Sequence, residues 1–180
     1  MKTDQPHWYI IGAGAIGCLW AYALKQVGYT VTVIVRSHDT NVKKTPHSRL
    51  QRISLSSSNK GLHYADVNTL TVNELIASKA VIEHGIIATK AYDAQSALSA
   101  IAPALSPSAK ILSLCNGMGM HDAMHQQLQN HSKKIQFLLG VTSDGALLQQ
   151  AFQLTHTGVG HTYIGHYDQV SNNLLHTKTA

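Results

Sequence analysis

Short apolar runs alternate with amphipathic stretches along the first two-thirds of this chain. His7-Trp8-Tyr9-Ile10-Ile11 is bulky and ends at glycine, which predicts a buried strand. From Ala15 to Val27 the apolar positions Ile16, Leu19, Trp20, Ala23, Leu24 and Val27 recur at spacings of three and four. That period predicts a helix, and Gly28 stands where a helix takes a left-handed residue. Thr30 to Val35 is rich in β-branched side chains and predicts a second strand. Ser37 to Ser48 is polar and reads as a loop, with room for a short helix. Arg49–Leu55 and Leu62–Ala65 read as a hairpin around Asn59-Lys60-Gly61, followed by a short helix over Leu70–Ile76. His84–Thr89, Lys110–Cys115 and Lys134–Val141 predict further strands. Asp93–Leu105 and Asp122–Gln129 predict helices between them. Gln153–His156 and His161–Ile164 are expected to pair around Gly158-Val159-Gly160. Strands separated by helices imply an α/β fold: a doubly wound, mostly parallel sheet of Rossmann type with helices on both faces.

The turn after the first strand carries Gly12-Ala13-Gly14-Ala15-Ile16-Gly17, a G-x-G-x-x-G pattern. Alone it is weak, but here a strand precedes it and a helix and second strand follow. Gly12 is expected to make the tight turn, Gly14 to admit a pyrophosphate, and Gly17 to let the helix pack closely. The helix N-terminus would present free N–H groups and partial positive charge to the phosphates. NAD-selective domains place an acid at the end of the second strand to hold the ribose 2′-hydroxyl. This chain has Arg36 there. A guanidinium grips a 2′-phosphate with two hydrogen bonds, so NADP(H) is the expected cofactor. Thr89-Lys90-Ala91-Tyr92 and Cys115-Asn116-Gly117-Met118-Gly119 end two later strands, on the side where ligands of such sheets bind. Lys90 suits a phosphate or carboxylate, and Asn116 a ribose or a carbonyl. Singly, each also reads as a solvated lysine and a tight turn.

These landmarks together resemble the ketopantoate reductase family (2-dehydropantoate 2-reductases), in its N-terminal half. The resemblance extends through Gly140-Val141-Thr142-Ser143-Asp144-Gly145-Ala146 and His156-Thr157-Gly158-Val159-Gly160-His161-Thr162-Tyr163-Ile164-Gly165. It implies NADPH-dependent reduction of ketopantoate to pantoate, on the route to pantothenate and coenzyme A. It implies that Gly12, Ala13, Gly14, Ala15, Ile16 and Gly17 hold the pyrophosphate and Arg36 the 2′-phosphate. Lys90 and Asn116 would lie at the nicotinamide end, with Asn116 also touching substrate, and the Ala146 backbone would touch cofactor. In that family the proton donor is a lysine and a substrate ligand is a glutamate, both in a second, helical domain. Residues 1–168 are expected to form the NADP-binding domain, and 169–180 the start of a linking helix or a frayed tail. The helical domain is expected to be absent, so that no residue of this chain is assigned as catalytic. Two functions follow: a reductase of weak or no activity alone, or a non-catalytic NADP(H)-binding module that needs a partner chain. A homodimer through the surface left by the second domain is expected.

Composition narrows the rest. The net charge is +5, but the 14 basic residues are scattered rather than striped, which argues against nucleic acid. No apolar stretch reaches a membrane span, and no signal peptide is evident, so a cytoplasmic location is expected. Two distant cysteines, Cys18 and Cys115, read as reduced and buried. His121 and His125 share one helix face at zinc-protease spacing, but Asp122 follows where a glutamate base belongs, and a solvated face is the better reading. His156, His161 and His166 fit no metal loop, and no metal is expected.

Overall fold

The structure, a computed structural model, describes residues 5–36, 49–57, 61–116, 119–132 and 134–167. The polar loop after Arg36 and the C-terminal tail, for which expectations are given above, lie outside these residues. Within them the chain runs β1 (His7–Ile11), α1 (Ala15–Gln26), β2 (Thr30–Val35), β3 (Arg49–Ser57), β4 (Gly61–Thr71), α2 (Val72–Ala77), β5 (Ile82–Ile87) and α3 (Ala91–Ile101). A 3-10 turn over Ala102–Ala104 leads to β6 (Leu105–Ser113), α4 (Met120–His131), β7 (Gln136–Thr142), β8 (Gly145–Gln150), β9 (Gln153–Gly158) and β10 (Thr162–His166).

The ten described strands form one sheet, in the order β10-β7-β6-β5-β1-β2-β4-β3-β9-β8. Its centre, from β7 to β4, is parallel throughout. Burial on both sides explains the unbroken apolar runs there: Val31 to Val35 are all buried. One face carries Tyr9, Ile11, Ile34, Ile87, Ile111 and Phe137 and is covered by α2, α3 and α4. The other carries Ile10, Val33, Val67, Ile86, Leu112 and Leu114, against α1. Helices therefore lie on both faces, as the pattern implies.

α1 differs in detail from its amphipathic stripe. Its fully buried residues are the small ones, Gly17, Cys18 and Ala21. Ile16, Leu19, Trp20 and Leu24 are half-buried beside them, and Val27 is exposed. Small residues let the helix axis sit close to the sheet while the large ones wedge at its flanks. The C-terminus closes as expected: Gly28 has φ +93, its N–H donates to the Lys25 carbonyl, and the Tyr29 N–H to that of Leu24.

Two sequence expectations fail here. The first is the final hairpin. β9 pairs antiparallel with β8 and parallel with β3, whereas β10 pairs antiparallel with β7. The segments on either side of Gly158-Val159-Gly160 therefore diverge to different parts of the sheet. The physical reason is β8, a strand not anticipated, which takes the antiparallel place beside β9. The second is the start of the short helix expected over Leu70–Ile76; the hairpin of β3 and β4 itself forms as expected. Strand β4 runs on to Thr71, and its second half lies parallel to β2, so residues 70 and 71 are strand, not helix. Ala65, Val67 and Thr69 alternate inward on that extension, a period of two that the polar intervening residues disguise.

Strands β7 and β8 are joined only by Ser143 and Asp144, yet seven strands separate them in the sheet. In a flat sheet that separation is about 38 Å at ~4.8 Å per strand. The two-residue link spans about 10 Å. The sheet must roll up, and it rolls around α1, which touches β1, β2, β4, β3, β9 and β8. The corner is latched through Asp144. Its Oδ1 accepts from the Gly160 N–H at 3.0 Å, and its Oδ2 from the Thr142 hydroxyl at 3.2 Å. His156 Nε2 lies 3.5 Å from Oδ1.

Candidate functional site

The carboxyl ends of β1, β2, β4, β5 and β6 open into a cavity of about 1000 Å³. Its floor extends the sheet ladder past the strand ends: Gly12 N–H donates to Ile34 O, Ala88 N–H to Ile11 O, and Leu114 N–H to Ile87 O. The cavity lies where β1 meets β2 through α1 on one face and β5 leads to α3 on the other. This is the switch point at which open parallel sheets bind ligands.

The glycine turn lines one wall, and its three glycines differ physically. Gly12 has φ +110, and a Cβ there would meet Ala88 and Thr89 at 3.0–3.1 Å. Gly17 is buried, and a Cβ would lie 2.0 Å from the Gly12 carbonyl oxygen. Helix and turn touch there with no room for a methyl group. Gly14 is exposed on the cavity wall with an ordinary φ of −74, and a Cβ would find only Ala88 O, at 3.9 Å. The tight turn expected of Gly12 and the close packing expected of Gly17 fit these geometries, and the space over Gly14 is open. Gly14 caps α1 through its backbone alone, and the Cys18 N–H closes the first turn onto its carbonyl. The N–H groups of Ala15, Ile16 and Gly17 precede that bond and have no acceptor within the helix. No acidic side chain stands in that first turn to take up its positive end.

Of the expected site residues, Gly12, Ala13, Gly14, Ala15, Ile16, Arg36, Lys90, Asn116 and Ala146 line the cavity. Gly17 lies behind the wall and shapes it. Lys90 is exposed and takes the N-cap position of α3 with extended backbone. Asn116 is exposed beyond β6. Ala146 reaches the cavity from β8, brought there by the roll of the sheet.

The cavity also holds residues that the sequence reading missed. Thr71, Val72 and Asn73 enter from the end of β4. Their signal was present as a capping box: the Thr71 hydroxyl accepts from the Glu74 N–H, and the Glu74 carboxylate accepts from the Thr71 N–H. Ending the hairpin at Ala65 hid it. Asp93, from the first turn of α3, forms an ion pair with Arg36 across the cavity. No spacing rule joins residues 57 apart, so this pair was invisible in the sequence.

Both thiols are buried. Burial pushes the Cys18 thiol up to about 12 and raises that of Cys115 as well. The His125 ring packs tilted against Tyr167 with centroids 4.2 Å apart, and burial lowers the His121 pKa. Among the described residues no three His, Cys, Asp or Glu side chains are grouped to hold a metal ion. No helix among them is long and apolar enough to cross a membrane.

Comparison with known proteins agrees with this architecture. The family model described as "Ketopantoate reductase PanE/ApbA" matches residues 8–169. The chain belongs to the ketopantoate reductase family. A probable 2-dehydropantoate 2-reductase of Schizosaccharomyces pombe is 30% identical over 96% of this chain and 50% of its own length. The 2-dehydropantoate 2-reductase of Vibrio cholerae is 27% identical over 88% of this chain and 47% of its own length. The chain thus spans about half the length of the curated relatives it matches. Among solved structures, the Methylococcus capsulatus 2-dehydropantoate 2-reductase superposes with a TM-score of 0.72 at 18% identity, over 91% of this chain and 49% of that one. A D-mandelate dehydrogenase in ternary complex with NADH and anilino(oxo)acetate superposes at 0.71 and 21% identity, over 94% of this chain and 52% of that one. Both likenesses establish the fold.

Proposed function

We propose that this chain is the NADP(H)-binding half of a 2-dehydropantoate 2-reductase, acting on ketopantoate. The observation that carries it is the cavity wall at Gly14. An exposed glycine with open space over it, next to unpaired helix N–H groups, is a cradle for a pyrophosphate. When bound, the cofactor supplies a hydride for the keto carbon. The chain's own residues would hold it. The Ala13 to Ile16 backbone would take the pyrophosphate, and Arg36 the 2′-phosphate. Lys90, Asn116 and the Ala146 backbone would border the nicotinamide end. The Asn116 amide, with donor and acceptor atoms, would also orient the substrate.

A second reading rests on the charges in the cavity. Its cationic side chains among the described residues are Arg36 and Lys90, and both are exposed. A general acid is worth roughly 10²–10⁴-fold when positioned and tuned by its surroundings. Arg36 is engaged by Asp93, and no ion pair holds Lys90 among the described residues. On this reading the 180 residues bind cofactor, and the proton donor comes from outside them.

Both readings are tested on one sample. NADPH is titrated against the fluorescence of Trp8 and Trp20, and NADPH oxidation is then followed with ketopantoate. Quenching with turnover supports the reductase reading. Quenching without turnover supports the binding module. Absence of quenching at millimolar NADPH sinks both.

A further inference from the structure

Arg36, the residue expected to read the 2′-phosphate, does not stand free. It leaves the end of β2, and its Nη2 donates to Oδ2 of Asp93. Among the described residues lining the cavity, Asp93 is the only acidic side chain, and it meets the only guanidinium. The two differ in freedom: the Arg36 side chain is 70% exposed and that of Asp93 27%. The carboxylate sits in the first turn of α3 and is the more buried member, while the arginine reaches it from the end of β2 through solvent.

We propose that Asp93 is a specificity-determining residue that weakens discrimination between phosphorylated and unphosphorylated dinucleotides. This rests on the reading that the cavity binds such a cofactor with its adenosine ribose at Arg36.

A 2′-phosphate must first draw Arg36 away from Asp93. An ion pair this exposed is weak, so the exchange is feasible. The phosphate then carries up to two negative charges beside a carboxylate whose Cα is set by α3, and that repulsion persists in the bound state. An unmodified ribose meets the opposite situation. Its 2′-hydroxyl can donate to the Asp93 carboxylate while the Arg36 pair stays intact. NAD-selective domains place their acid at the end of the second strand. Here an arginine occupies that position, and the acid faces it from α3 instead. The site therefore holds the recognition chemistry for both cofactors.

The test uses the whole 180-residue chain and calorimetric titration with 2′,5′-ADP, 5′-AMP, NADPH and NADH. The wild-type protein should bind NADPH and NADH within about tenfold of each other. Asp93→Asn should tighten 2′,5′-ADP by about tenfold, the effect of one unscreened like charge nearby, and leave 5′-AMP unchanged or weaker. Asp93→Glu, which keeps the charge, should hold the wild-type ratio. Circular dichroism reports folding, and Asp93→Ser serves in place of Asp93→Asn if the latter lowers the folded fraction. An unchanged ratio of 2′,5′-ADP to 5′-AMP affinity in the charge-removing variant overturns the role of Asp93 alone. Failure of the wild-type protein to bind any of the four overturns the cofactor reading and this inference with it.

Discussion

Gly14 and Gly17 belong to one motif and one helix turn, yet the structure gives them opposite surroundings. A methyl group at Gly17 collides with the Gly12 carbonyl at 2.0 Å, a backbone atom that cannot step aside. A methyl group at Gly14 collides with nothing, because it stands over the cavity. Gly17→Ala should therefore act on stability, by about 3 kcal/mol or more, since overpacking against backbone leaves no rotamer to relax. Gly14→Ala should leave the melting temperature nearly unchanged, within about 0.5 kcal/mol of stability, and weaken NADPH binding. Thermal melts and NADPH titrations on the two variants separate these effects. A stable Gly17→Ala protein, or a Gly14→Ala protein that binds NADPH normally, would contradict the assignment. Arg36 shows the converse: a residue legible in the sequence whose immediate partner was not.

At the scale of elements, the corner between β7 and β8 is what a linear reading could not anticipate. Asp144 ties that corner to the one between β9 and β10 through Gly160, while the Thr142 hydroxyl at the end of β7 braces its other oxygen. The Gly160 N–H, with help from the Thr142 hydroxyl and His156, holds the Asp144 carboxyl below the usual carboxylate range. A depressed folded pKa contributes stability above the unfolded value, and that stability is lost as pH falls through the folded one. The latch should thus hold at neutral pH and weaken below about pH 4. Asp144→Asn should cost about 1–2 kcal/mol at pH 7, the worth of a charged hydrogen bond, and should remove this part of the acid dependence. Amide exchange should quicken at Ala146, Leu147 and Leu148 before it does at Ile86 or Leu112. An unaltered urea midpoint with unaltered exchange on β8 would show that the corner is held by something else. Since β8 carries Ala146 to the cavity wall, the latch links sheet closure to the candidate site.

The whole molecule has two kinds of surface. The faces under α2, α3 and α4 and around α1 are closed. The edge at β10 is not: Val141, Val159, Tyr163 and Ile164 are all more than half exposed on or beside it. β10 ends the described sheet on that side and carries exposed apolar side chains. Edges of this kind recruit another chain. Self-association of the 180-residue chain is the expected outcome, visible as a mass above 19.5 kDa that grows with concentration in light scattering. Tyr163→Lys should reduce it, because a charge on an edge strand opposes pairing. A monomer at high concentration would remove this expectation.

The sequence by itself determined the elements whose signals are local. Strands β1 and β2, helix α1 and its glycine turn were legible because period, capping and turn chemistry act over a few residues. Their adjacency in space then followed from the short connections of a βαβ unit. Lys90 and Asn116 were legible for the same reason, as strand ends on the ligand side of a parallel sheet. The tertiary structure alone decided which strand takes β9 as neighbour, where β4 ends, and how Ala146 reaches the cavity. It also decided that Arg36 faces Asp93. Those outcomes depend on strand pairing between distant segments, where a period of two marks a strand but not its partner. The roll of the sheet around the small residues of α1 chose the partners, and with them the shape of the site.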